Sequence, residues 1–146
     1  EVKDSGEKVL FIFDDVIADV RGKGKGAIEN LLQKIFFNRR HLSGAGGSVS
    51  IIATSQTYNK IDPKLRKTAS HLIQYKPQKK EIENIHDDMI TLPRKEFNDV
   101  LRFVYKKKHD FLFVNLQDEE SKQLHKNFNQ LIIRSPNITE FDFDES

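Results

Sequence analysis

Apolar residues fall into short runs divided by polar stretches, and the runs change period along the chain. Val9 to Phe13 are apolar without a break. Residues 8–13 read as a strand apolar on both faces, the kind found inside a parallel sheet covered by helices. Over residues 27–41 the period becomes helical, with Ile28, Leu31, Leu32, Ile35 and Phe36 on one stripe. A glycine-rich stretch, residues 43–48, breaks that helix. Residues 49–53 form a second apolar strand that runs on into Thr54, Ser55 and Gln56. Pro63 opens a short helix. Residues 71–75 predict a third strand, and 76–84 a polar connector. Residues 92–108 predict a helix with Phe97, Val100, Leu101 and Val104 on its apolar face. Residues 110–116 predict a fourth strand, 121–128 a short helix, and 130–134 a last strand or sheet edge. Residues 1–7 read as a frayed lead-in, and the acidic tail from Ser135 as loose.

Strands alternate with helical segments every ~30 to 40 residues, which predicts an α/β domain with a mainly parallel sheet flanked by helices. The 146 residues suffice for one domain with its own core. Composition narrows the function only a little. The chain is 32% charged, yet its net charge is +2, so bulk charge does not mark a nucleic-acid binder. The absence of cysteine excludes disulfides and thiolate-held zinc. No apolar run reaches the ~18 to 20 residues of a membrane-spanning helix, and no signal peptide is visible. The histidines are scattered without metal-ligand spacing. No Gly-x-Ser-x-Gly motif suggests a serine hydrolase.

The first strand ends in two adjacent acids, Asp14 and Asp15. Unpaired carboxylates side by side are costly unless a cation or solvent relieves them. Alone, the pattern also describes a strand end whose solvated acids begin a turn. The second strand favours a site: ligands of open parallel sheets collect beyond the strands' carboxyl ends, and Gln56 closes that strand. Two acids and an amide in one crevice match the chemistry of a P-loop NTPase. There, one acid serves Mg2+, the second polarises the attacking water, and a polar residue on the next strand senses the γ-phosphate. A second acid pair, Asp87 and Asp88, follows no buried strand and reads as exposed loop.

At this point the sequence resembles the packaging ATPases of large DNA viruses, the poxvirus-type branch of the FtsK–HerA superfamily. The stretches that carry the resemblance are LFIFDDVIAD, LLQKIFFNRRHL, SVSIIATSQTYNKIDPKLRKTASHLIQYK and, more loosely, DFLFVNL with HKNFNQLII. The resemblance implies a RecA-like P-loop NTPase core, incomplete on its N-terminal side, in residues 1–135, with 136–146 as the acidic tail. It implies ATP and Mg2+ as cofactors, with Asp14 the magnesium-side acid acting through water, Asp15 the catalytic base and Gln56 the sensor. It implies a homo-oligomeric ring in which an arginine completes the neighbouring site. Arg39 and Arg40 are the candidates, and a basic helix end favoured by the helix dipole is the alternative. It implies double-stranded DNA as cargo, a capsid or packaging-vertex protein as a further partner, and the viral factory or virion as location. The chain departs from the family pattern in one respect. It contains no Gly-x-x-x-x-Gly-Lys-Ser/Thr phosphate loop. In this family that loop lies upstream of the Asp-Asp strand, so these residues are expected to be the C-terminal part of an ATPase domain, inactive alone.

Contacts to DNA would go to phosphates. The cationic candidates are Lys23 and Lys25 in a glycine loop, and Lys60, Lys64, Arg66 and Lys67 after the glutamine strand. A solvated basic surface is the alternative for each cluster. Tyr58 is expected to pack, and Lys106 to Lys108 to end a helix and meet its dipole. The competing functional reading is a degenerate, non-catalytic relative that binds DNA or a partner.

Overall fold

The computed structural model describes residues 6–15, 26–42, 44, 46–134 and 137–141. The chain divides into two compact units, Glu1–Thr68 and Ala69–Ser146.

In the first unit, β1 (Lys8–Phe13) pairs in parallel with β2 (Ser48–Ala53), in a register that sets Phe13 beside Ala53. Between them lie helix α1 (Gly26–Asn38) and a 3-10 turn over Arg39–His41. Leu32 on the predicted helical stripe is buried, and the Phe36 ring meets Phe13 at 5.9 Å between centroids. That face follows the pattern. The opposite face does not. Leu10 and Ile12 are 52% and 64% exposed, so β1 is covered on one side where its sequence predicts two. After β2 come a 3-10 turn over Tyr58–Lys60 and the short helix α2 (Pro63–Arg66). Asp62 caps α2, its carboxylate accepting the Lys64 amide at 2.8 Å, and Pro63 stands in the first turn where its missing N–H costs nothing.

The second unit is an antiparallel sheet in the order β3-β4-β5-β6-β7. Its strands are β3 (His71–Tyr75), β4 (Phe111–Asn115), β5 (Leu124–Lys126), β6 (Asn129–Arg134) and β7 (Asn137–Glu140). Two helices, α3 (Lys79–Met89) and α4 (Arg94–Val104), join β3 to β4. Leu112 and Val114 alternate inward from β4 to meet the apolar stripe of α4, where Phe97, Val100 and Val104 are 1% exposed or less. Ile85 of α3 and Leu131 of β6 complete this core.

Several expectations change here. The described sheets are not mainly parallel: only β1–β2 is. Short connections are one cause. Only Asn127 and Phe128 separate β5 from β6, and a two-residue hairpin joins strands only antiparallel. Asn127 takes φ 54°, a conformation asparagine tolerates well. The polar connector runs into α3, which starts at Lys79 and whose few apolar positions sit among charges; its first turn is closed by Glu81, which accepts the Gln78 amide at 2.9 Å. Asp87 and Asp88 therefore lie on a helix, and Asp87 pairs with Arg94 at 2.8 Å. Residues 121–128 hold no α-helix. A 3-10 turn over Glu120–Lys122 precedes β5, in which Leu124 points to the core. Part of the expected loose tail is β7, laddered to β6. Helix α4 ends at Val104, about one turn before the predicted end at Lys108, because Asp110 gathers the chain there. Its buried carboxylate accepts the amides of Lys107 at 2.7 Å and Lys106 at 3.2 Å.

Candidate functional site

The parallel register delivers the carboxyl ends of β1 and β2 to the same place. The Thr54 amide donates to the Phe13 carbonyl at 2.9 Å, extending the ladder one step beyond both strands. Asp14 and Asp15 leave β1 at that point, and Thr54 and Gln56 leave β2. Side chains two apart on an extended segment share a face, so Thr54 and Gln56 both turn toward the acids while Ser55 turns away. The Ser55 hydroxyl instead meets its own loop at the Thr57 carbonyl, 3.0 Å away.

Four side chains then close on one another. The Thr54 hydroxyl donates to Asp14 Oδ1 at 2.6 Å and accepts the Asp15 amide at 2.9 Å. The Gln56 side-chain amide donates to Asp15 Oδ2 at 2.6 Å, and its backbone N–H reaches Asp15 Oδ1 at 3.4 Å. Asp15 holds φ 54°, the left-handed region that non-glycine residues rarely enter. The cluster is open to solvent on the Asp14 side and half-buried at Asp15. The three residues the sequence singles out are thus brought together, across a separation of about 40 positions. Thr54 is the member that sequence reasoning missed. Its signal was its place, first after the apolar run of β2 and one turn of the pleat before Gln56.

Among the described residues no three His, Asp or Glu side chains converge as a ready-made metal cage. Two adjacent carboxylates at an open strand end nevertheless fit Mg2+. That ion keeps several waters, takes one or two carboxylates and completes its shell on phosphate oxygens. The second carboxylate is held by the Gln56 side-chain amide at 2.6 Å.

The basic candidates separate. Lys60, Lys64 and Lys67 are exposed. Arg66 is not: it is 8% exposed, with its guanidinium 4.6 Å from the centroid of the buried Tyr58 ring. Arg66 packs, and the expectation that it meets DNA phosphate is corrected by that burial. Tyr58 packs as its pattern predicts. Arg39 lies in the 3-10 turn that ends α1, its guanidinium donating to the Phe36 carbonyl at 3.2 Å, so it caps the helix in this structure. The Arg40 side chain, Lys23 and Lys25 lie outside the described residues. No helix among the described residues is long and apolar enough to cross a membrane.

The sequence profile of the Poxvirus A32 protein family matches residues 1–114. No curated protein sequence matches the chain. Among solved structures, the genome packaging NTPase B204 from Sulfolobus turreted icosahedral virus 2 is similar in fold. Its complex with ATP-gammaS gives a TM-score of 0.53 at 18% identity, over 81% of this chain and 50% of that one. Its complex with AMPPCP gives 0.52 at 20% identity, over 82% and 53%. The chain thus spans about half the length of the solved chains it matches.

Proposed function

The chain belongs to the Poxvirus A32 protein family, and from that premise we propose that it supplies the metal-and-water half of the nucleotide site in an ATPase that packages viral double-stranded DNA. The observation that carries the reading is the convergence of Asp14, Asp15 and Gln56 at the carboxyl ends of two parallel strands. Asp14 would hold Mg2+. Mg2+, when bound with ATP, neutralises charge developing on the phosphates. Asp15 accepts a hydrogen bond from the attacking water and orients it, and Gln56 reports the γ-phosphate to Asp15 through their direct contact. The phosphate cradle comes from a segment other than these 146 residues, which contain no such motif.

In this reading β1 and β2 are two strands of a mainly parallel, RecA-like sheet. The protein acts as a homo-oligomeric ring at a capsid or packaging vertex, in the viral factory or virion. Arg39 or Arg40 serves the neighbouring site, bridging phosphoryl oxygens with a planar guanidinium. Arg39 must leave the Phe36 carbonyl to do so. Exposed Lys60, Lys64 and Lys67, with Lys23 and Lys25, meet DNA phosphates without reading sequence.

The test is Asp15→Asn in a turnover-competent protein that carries this chain. Turnover should fall on the order of 10²- to 10⁴-fold, the usual share of a general base, while ATP binding persists. Unchanged turnover removes Asp15 from the chemistry.

A further inference from the structure

We propose that Thr54 is the positioning residue of the acid pair: its single hydroxyl fixes the Asp15 backbone and aims the Asp14 carboxylate. The geometry leaves the hydroxyl little choice. Its one proton goes to Asp14 Oδ1, 2.6 Å away, so its lone pairs face the Asp15 amide at 2.9 Å. A hydroxyl donates once and accepts twice, and threonine here does both with adjacent acids of the same strand end. The Asp15 amide needs that acceptor. At φ 54° the chain has left the β1 ladder, so no strand carbonyl among the described residues serves its N–H, and the left-handed turn is held by the Thr54 hydroxyl.

The consequence is a division of labour on β2. Thr54 sets where the acids point, and Gln56, two residues on, engages the carboxylate of the second acid. Because one oxygen atom serves both acids, the position of the metal-side carboxylate and the backbone of the water-orienting residue are not independent. Displacing one pulls on the other. Serine keeps both hydrogen bonds, whereas valine matches threonine in shape and keeps neither.

The functional part of this inference rests on the proposed Mg-ATP site; the hydrogen bonds do not. Two readouts separate them. In the 146-residue chain, amide hydrogen exchange is followed residue by residue in the wild type, Thr54→Val and Thr54→Ser. Loss of one hydrogen bond speeds exchange of the Asp15 amide about tenfold in Thr54→Val. The β1–β2 ladder amides keep their wild-type rates, and Thr54→Ser restores protection of Asp15. Mn2+ is then titrated as the probe into a turnover-competent protein that carries this chain, with a non-hydrolysable ATP analogue present, and read by broadening of the Asp14 and Asp15 signals. The expected result is a severalfold higher Mn2+ concentration for half-broadening in Thr54→Val, and a wild-type value in Thr54→Ser.

An Asp15 amide that exchanges equally in all three proteins overturns the positioning role. So does a serine variant that behaves like valine, since the hydroxyl would then not be the cause. Exchange that responds as described, in a wild type whose Asp14 and Asp15 signals ignore Mn2+, upholds Thr54 as the anchor of the turn and sinks the metal assignment of the proposed function instead.

Discussion

Asp15 carries a proposed catalytic carboxylate on a backbone that disfavours any side chain, and that conflict has a measurable size. A left-handed residue brings its Cβ against the following carbonyl, at a cost of about 1–2 kcal/mol for an ordinary side chain. Asp15→Ala and Asp15→Gly both delete the carboxylate, so both lose the two contacts with Gln56. Both retain the amide that Thr54 accepts. The losses cancel in the comparison, and the Cβ at φ 54° remains. Glycine's larger entropy in the unfolded chain returns roughly 0.5–1 kcal/mol of the difference. The glycine variant should therefore be the more stable, by roughly 0.75 kcal/mol at the mid-points of the two ranges. With a denaturant slope near 1 kcal/mol per molar for so small a unit, its urea midpoint lies roughly 0.75 M higher. Amide signals of Ile12 and Ile52, on the paired strands, report the unfolding of this unit rather than of its neighbour. Asp15→Asn should fall between, since asparagine enters this region more readily than alanine. An alanine variant as resistant to urea as the glycine variant would refute the strained backbone. The reasoning that the site stores conformational energy at its second acid would go with it.

Further outcomes follow from the same structure. Replacing Lys60, Lys64 and Lys67 together by alanine should weaken duplex binding and reduce the slope of log K against log salt by roughly 3. Arg66→Ala should leave that slope alone and lower the melting temperature, because it uncovers Tyr58; equal salt effects would return Arg66 to the DNA surface. The Asp110 carboxylate is held below its ordinary range, chiefly by the Lys107 amide and further by Asn127 and Lys126. With the folded value depressed, its contribution is complete above the unfolded value of about 4 and is lost as pH falls through the folded one. The melting-temperature gap between wild type and Asp110→Asn should narrow on acidification below about pH 4, and a gap independent of pH would contradict the assignment. Phe97→Ala empties a site that is 1% exposed and should cost about 3–5 kcal/mol, a large share of a small unit's stability. Phe128→Ala, at 68% exposed, should cost less than about 1 kcal/mol in the same thermal melt. Similar losses would mean that Phe97 is not the core residue described.

Where local pattern was strong, the sequence could be read. The unbroken apolar run before Asp14 is β1, and the stripe of Phe97, Val100, Leu101 and Val104 is the buried face of α4. Gln56 was legible because it ends a second such run. Helix α3 was not, since Ile85 and Met89 are sparse among charged neighbours and their burial is supplied by the rest of the unit. Arg66 was misread because its type suggests a surface, whereas an aromatic face can hold a guanidinium inside.

By itself the sequence determined the chemistry on offer: two acids and an amide at the ends of apolar runs, and no phosphate loop. Propensity and periodicity are local, so they reach that far. Tertiary structure alone decided which partners meet. The register that sets Phe13 beside Ala53 turns Thr54 from a strand-end residue into the link between Asp14 and Asp15. A register shifted by one residue would turn the strand's side chains to its other face. That choice is made by packing between segments some 40 residues apart, and no local pattern encodes it.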